Sequence, residues 1–531
     1  MKFLLFSLAA LLSACAVNLQ SNASQLPGLT FIHLNDTYRV ADVEDGTRGG
    51  FARAVTVIRQ AQGEGRDVHV LHAGDLLSPS LESQVWFGGQ MVSALNFVDE
   101  IAPTYFVAGN HEFDIREPDI AFFINAVRSS AFDWLGDNYT LQTGDDVADQ
   151  ALQRAFTVKH GDRTIGVFAL TMHPLDGGTR RPYVEYDRDY VANAERVIRQ
   201  FEAQGVDLII GLTHLRMAND IELAELRARH PALQFIVGGH EHEVASREQS
   251  DTSAAIFKGS SNARVIWRID VDFGATGDVS ISASELALDA SIPKDPAYQG
   301  LEDEWRAELL RLYPIVDARV GEAAARFDAR EETIRNEESA WANFIVDQAR
   351  GAFGAPVADF AFINSGSIRI DDYIMGDILY EDIARTFGFS SFLRWVTLNG
   401  AEFKTLMEAG YVGEGEGNFP QVSGFRVCVD RRLPERSRIV SLQVPAGADW
   451  QEIDANRQYT LVMPDFLYQN NDGYVIPDKL KDPDSRTGAE LKYLVLDAII
   501  KAQQLGQKVG QEVDPKNPRF VALGPDREAC W

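Results

Sequence analysis

The hydrophobic pattern of the first half of the chain repeats one plan. Short β-branched, aromatic and aliphatic runs stop abruptly at Gly, Asp, Asn or His, as in "VHVLHAGD", "TYFVAGNHEFD", "TIGVFALTMH", "VDLIIGLTH" and "LQFIVGGHEHE". Runs of that length bounded by turn formers predict buried strands. "FIHLNDTYRV" opens the series: Phe31, Ile32 and Leu34 lead directly into Asn35-Asp36, with Tyr38 two positions later. Between several of these runs lie helical patterns such as "GGFARAVTVIRQAQ" and "YVANAERVIRQFEAQG". The alternation predicts an α/β fold. In such folds ligands collect beyond the carboxyl ends of the strands, where the loops carry polar groups.

Around 270–290, "IDVDFGATGDVSISASELAL" reads as a closing β-hairpin, and "IPKDPAYQGLEDEWRAELLRLY" as a charged amphipathic helix entered through prolines. A chain of 531 residues is too long for one ordinary core, so two domains are expected. We divide it into 28–290, a linker helix over 291–313 and a second α/β domain over 314–531. The first 14 residues read as a signal peptide: Lys2, then an apolar stretch too short to span a bilayer comfortably. Leu12-Ser13-Ala14-Cys15 resembles the bacterial lipobox, which makes 15–27 a leader lipidated at Cys15. Cleavage of a plain secretory signal nearby is the alternative. The expected location is outside the inner membrane, on a lipid anchor in the outer membrane.

Charge narrows the partners. A formal charge of −28 repels nucleic-acid backbones and anionic membranes, so a polymeric nucleic acid is excluded as partner. An anionic substrate would have to be held by local cations. Besides Cys15 only Cys428 and Cys530 remain, either paired in an oxidising compartment or left as free thiols.

The strand ends carry the chemistry. In order they present Asp36, Asp75, Asn110-His111, His214, and His240 with His242. Carboxylate and amide oxygens with imidazole nitrogens suit zinc, manganese, cobalt or iron. Two such ions about 4 Å apart can clamp a phosphoryl group and activate water. A cation also explains why a buried strand should end on Asp36, a charge costly to bury bare. By contrast His33, His69, His72 and His173 read as core or turn residues.

The series D…GD…GNHE…TH…GHxH resembles the calcineurin-like metallophosphatases, and with the second half the chain is similar to the two-domain 5′-nucleotidases. That resemblance implies a four-layer β-sandwich-type N-terminal domain flanked by helices, and two divalent ions. One ion would take Asp36, Asp75 and His242; the other would take Asp75, Asn110, His214 and His240. It implies further that His111 stabilises the transferring phosphoryl group and that Asp114 orients His111. The family usually reads Asp-x-His where this chain reads Asp36-Thr37-Tyr38. A neutral Tyr38 is expected to line the pocket or bind a water there, leaving the first ion weaker or other than zinc.

In the second half, "NSGSIR" resembles the family's Asn-x-Gly-x-x-Arg motif and implies Asn364 for the base and Arg369 for the ribose or anionic portion. "RNEESAWANFIVD" implies Arg335, "TFGFSSF" implies Phe389 as one stacking ring, and "FLYQNNDGY" implies Phe466 as the other with Asp472 on the ribose. Gly388, Ser390 and Asn470-Asn471 depart from the family pattern there. The reading is a phosphomonoester hydrolase of 5′-nucleotides whose second domain swings to carry substrate to the metals. A sugar-phosphate or 2′,3′-cyclic nucleotide phosphatase, and a nucleoside-binding lipoprotein with a degenerate metal site, are the alternatives.

Overall fold

The computed structural model describes residues 27–531 apart from 178, 275–277, 414, 482–486 and 526. The signal and Cys15 lie outside the described residues. Five strands carry the site: β1 (Leu29–Leu34), β2 (Asp67–His72), β3 (Thr104–Val107), β4 (Leu208–His214) and β5 (Leu233–Gly238). The first three are consecutive parallel neighbours in a six-stranded sheet, between Val265–Phe273 on one side and Asp133–Leu135 on the other. β4 and β5 are parallel neighbours in a second six-stranded sheet.

The two sheets stack face to face, and the period-two alternation of the strands builds two layers of core. Leu29, Phe31, Leu71, Leu212 and Val237 meet in the layer between the sheets. Ile32, Leu34 and Val70 face the other way, onto a layer with Phe51, Val55 and Leu95 from the helices Phe51–Gly63 and Gly89–Asp99. Tyr190–Gln204 and Met217–Ala224 cover the second sheet through Val197, Phe201 and Leu223. The order is helix, sheet, sheet, helix. Strands covered on both faces read as continuous apolar runs, which is why the strand signal is so dense.

The helix Pro296–Leu312 begins at Asp295, whose side chain accepts from the amides of Ala297 and Tyr298. Its fully buried Tyr298 packs against Phe51 and Phe97, so the helix is anchored on the first domain. In the second domain a five-stranded sheet lies between the helices Ala340–Gly351 and Leu491–Gln504 on one face and a four-stranded sheet on the other. Among the described residues no helix is long and apolar enough to cross a membrane.

Cys428, buried on the strand Arg426–Asp430, is disulfide-bonded to Cys530, with the Cα atoms 5.6 Å apart. The bond closes a segment of 102 residues and ties the C-terminal end of the chain to the four-stranded sheet. Closing so long a segment restricts the unfolded chain. Cys530→Ser is therefore expected to lower the unfolding free energy by about 2–4 kcal/mol, read as an earlier denaturant midpoint; an unchanged midpoint would contradict this.

Candidate metal centre

Each strand end delivers its polar residue by a different local device. Asp36 and Asp75 follow β1 and β2 with φ of 51° and 57°, a left-handed backbone uncommon outside glycine and typical of functional sites. His240 and His242 share that backbone, with φ of 86° and 64°. The loops can close only because two glycines are bare. A Cβ on Gly109 would stand 2.2 Å from Asp75 Oδ1, and one on Gly74 would stand 2.5 Å from the Gly109 amide nitrogen.

Both carboxylates are sealed from solvent, Asp36 at 0% and Asp75 at 1% exposure. Asp36 Oδ2 accepts from Asn35 Nδ2 at 2.7 Å and from the His240 amide at 2.9 Å. Asp75 Oδ1 accepts from the His111 amide at 2.8 Å. Burial favours the neutral acid, but His242 and His214 outweigh it and hold Asp36 well below the usual carboxylate range. The same carboxylates act on His214: against the opposing effect of burial, Asp75 and Asp36 lift its imidazole to about 10. Negative charge thus dominates this enclosure.

The remaining donors close around it. His214 gives Nδ1–H to the Ala73 carbonyl at 2.7 Å, which turns Nε2 toward Asp75 Oδ2 at 3.4 Å and Asn110 Oδ1 at 3.2 Å. His240 Nδ1 lies 3.3 Å from the same Asn110 oxygen. His242 Nε2 lies 3.2 Å from Asp36 Oδ1. Ligand atoms of Asp36, Asp75 and His214 all fall within 4.8 Å of one another. Donors about 2.0–2.2 Å from a shared tetrahedral ion stand roughly 3.3–3.6 Å apart, so these residues fit divalent ions.

Beside this cluster His111 Nδ1 pairs with Asp114 Oδ2 at 2.8 Å, and Ser78 Oγ donates to the same oxygen. Burial alone would disfavour charge on His111, yet Asp114 and Asp75 raise its pKa. Tyr38 Oη is 2.8 Å from His242 Nε2, 3.1 Å from Asp75 Oδ2 and 3.4 Å from Asp36 Oδ1. Burial, then Asp75 and Asp36, push the Tyr38 phenol well above its ordinary range; a cation among these oxygens reverses that balance. Of the histidines read as structural, His33 lies between the Leu71 and Gly238 carbonyls, its single N–H able to serve one of them, and burial lowers it to about 4. His72 bonds Thr37, His69 bonds Tyr105 and His173 caps Leu175.

The second domain reaches the same place. Arg335 and Arg369 meet on Glu331 Oε1, at 2.8 and 3.1 Å, and Glu331 Oε2 is bonded to His242 Nδ1. Arg369 also lies over the Tyr38 ring, 5.3 Å from its centroid. Phe389 is stacked 6.2 Å from the His111 ring and remains 38% exposed. Asn364 Nδ2 donates to Asp472 Oδ2 at 2.7 Å; burial pushes Asp472 up to about 6, with Asn364 and Arg335 pulling the other way. Phe466, in the short helix Asp465–Tyr468, is 43% exposed.

Two residues of the centre escaped sequence reasoning. Glu331 stands four residues before Arg335, a helical ion-pair spacing that could have signalled it. Glu112 closes the "GNHE" run, and its carboxylate accepts from the amides of Asp75, Leu76, Leu77 and Gly109 at 2.5–3.0 Å. It is the clamp that holds the Asp75 loop against the Asn110 loop.

Comparison with known proteins now gives the class. The model for calcineurin-like phosphoesterases matches residues 29–244, and the model for the 5′-nucleotidase C-terminal domain matches residues 319–478. The chain is 25% identical over 532 aligned positions to the trifunctional nucleotide phosphoesterase protein YfkN of Bacillus subtilis (strain 168), covering 92% of this chain but 34% of that protein. It is 23% identical to the human 5′-nucleotidase, with 86% of each chain covered. The crystal structure of a 5′-nucleotidase precursor from Thermus thermophilus shares the fold, with a TM-score of 0.78 at 21% identity over 93% of this chain and 99% of that one. The chain belongs to the 5′-nucleotidase family of calcineurin-like, metal-dependent phosphatases.

Glu112→Ala would strand four amide donors in a buried loop, and each unsatisfied group costs about 1–3 kcal/mol. We expect a loss of roughly 3 kcal/mol or more in denaturant unfolding, against almost none for the exposed control Glu332→Ala. Equal stability of the two variants would refute the clamp.

Proposed function

We propose that the protein hydrolyses 5′-nucleotides to nucleoside and phosphate outside the inner membrane. The observation that carries this reading is the meeting of two sets of side chains from two domains. Asp36, Asp75, Asn110, His214, His240 and His242 converge beside the His111–Asp114 pair. Phe389 and Arg369 come from the other domain to the same spot. The six converging residues would hold divalent ions, which when bound withdraw charge from a phosphoryl group and make water a better nucleophile.

The chain's own groups do the rest. Asp114 accepts the Nδ1 proton of His111, so the opposite nitrogen can carry a proton to an oxygen of the phosphoryl group as negative charge grows there. Phe389 and Phe466 offer exposed faces to a planar base, whose stacking contributes about 1–3 kcal/mol per ring. Asp472, held by Asn364, would accept from ribose hydroxyls. Arg335 and Arg369 supply the local cations that a strongly acidic chain needs for an anionic substrate. Export is supported by the Cys428–Cys530 disulfide, which persists in oxidising compartments; anchoring through Cys15 rests on the sequence pattern.

A panel of AMP, a sugar phosphate and 2′,3′-cyclic AMP tests the substrate class, with AMP expected to give the highest kcat/KM. Phe466→Ala should raise KM for AMP by roughly 5- to 150-fold with kcat little changed. A sugar phosphate preferred over AMP, or a Phe466→Ala variant indifferent to the base, would move the reading to a phosphatase without nucleoside recognition.

A further inference from the structure

The distances around Tyr38 decide what its hydroxyl is. Tyr38 Oη, His242 Nε2 and Asp36 Oδ1 form a nearly equilateral triangle with edges of 2.8, 3.2 and 3.4 Å, and Asp75 Oδ2 lies 3.1 Å from the phenol oxygen. Had the hydroxyl taken the place of an ion, it would stand at the centre of these donors. Tetrahedral donors about 3 Å from a central atom are roughly 5 Å from each other, whereas donors about 2.0–2.2 Å from an ion are roughly 3.3–3.6 Å apart. His242 and Asp36 are 3.2 Å apart, so the phenol oxygen is a corner of the set and not its centre.

The carboxylates point the same way. Two buried carboxylate oxygens stand 3.1 and 3.4 Å from the phenol oxygen, and the imidazole beside it has its Nδ1 turned to Glu331. Carboxylates gathered this closely in a buried site are costly without a cation among them. Arg369 above the ring adds positive charge beside Tyr38, which favours negative charge on the oxygen.

We propose that Tyr38 Oη is itself a metal ligand, completing with Asp36, Asp75 and His242 a site of three oxygens and one nitrogen that selects iron or manganese over zinc. The inference deepens the phosphatase reading and rests on it. Oxygen-rich sets favour the harder ions, whereas the neighbouring set of Asp75, Asn110, His214 and His240, with two imidazoles, is softer. As the ion enters, the phenol proton leaves to solvent and the oxygen lone pair goes to the metal.

The test uses the full exported chain, stripped with a chelator, reconstituted with ferrous iron, oxidised in air and desalted. Wild type is expected to retain about two irons per chain and to show a phenolate-to-ferric charge-transfer band in the visible. Tyr38→Phe should retain about one and lose the band, with unchanged circular dichroism. Tyr38→His should keep both irons without the band, which makes it the folded control. A Tyr38→Phe protein equal to wild type in iron content and spectrum overturns the proposal. If neither wild type nor Tyr38→His holds any iron, zinc, manganese or cobalt, the phosphatase reading itself fails, and the ligand assignment with it.

Discussion

Two carboxylates buried side by side set the terms for the rest of this molecule. Asp36 and Asp75 end adjacent parallel strands, neither is exposed beyond 1%, and no Lys or Arg is paired with either in the first domain among the described residues. Carboxylates in that position demand compensation, because a bare charge in a low dielectric is expensive. The surroundings supply it in layers. Imidazoles of His214 and His242 turn toward the acids, amides of His111 and His240 donate to them, and Glu112 locks the loops that present those amides. Left-handed backbone at four of the site residues and bare glycines at 74 and 109 are the local cost of bringing so many polar groups to one point.

The second domain takes part in the same compensation. Glu331 bonds His242 while gathering Arg335 and Arg369, so a carboxylate that orients one residue of the metal centre also holds two cations of the second domain. Ion pairs between Arg264 and Asp371, Arg39 and Asp372, and Arg385 and Glu82 fasten the domains around that contact. Any swing of the second domain has to break the Glu331–His242 bond together with these ion pairs.

Much of this was legible in the chain because the strands are covered on both faces. Continuous apolar runs ending in Asp, Asn and His stand out, and the structure brings all five strand ends to one cluster. What was not legible depends on long-range geometry. Glu112 looked like one more turn acid, and only the approach of two loops gives it four amide donors. Glu331 belongs to a different domain from the histidine it orients, so no local pattern could connect them. The pairing of Cys428 with Cys530 needed a separation that spacing alone does not define. Tyr38 was visible as a departure, but whether its oxygen fills the centre of the set or one corner depends on donor separations of roughly 5 Å or roughly 3.5 Å, which only the fold defines.

On the proposed function, divalent ions held between these strand ends make the protein a nucleotide phosphatase. Phosphate release from AMP, followed before chelation, after it and after return of manganese or cobalt, tests that most directly. Chelation is expected to abolish release, and return of either ion to restore it. Release that survives exhaustive chelation, or no release with any ion supplied, would contradict it.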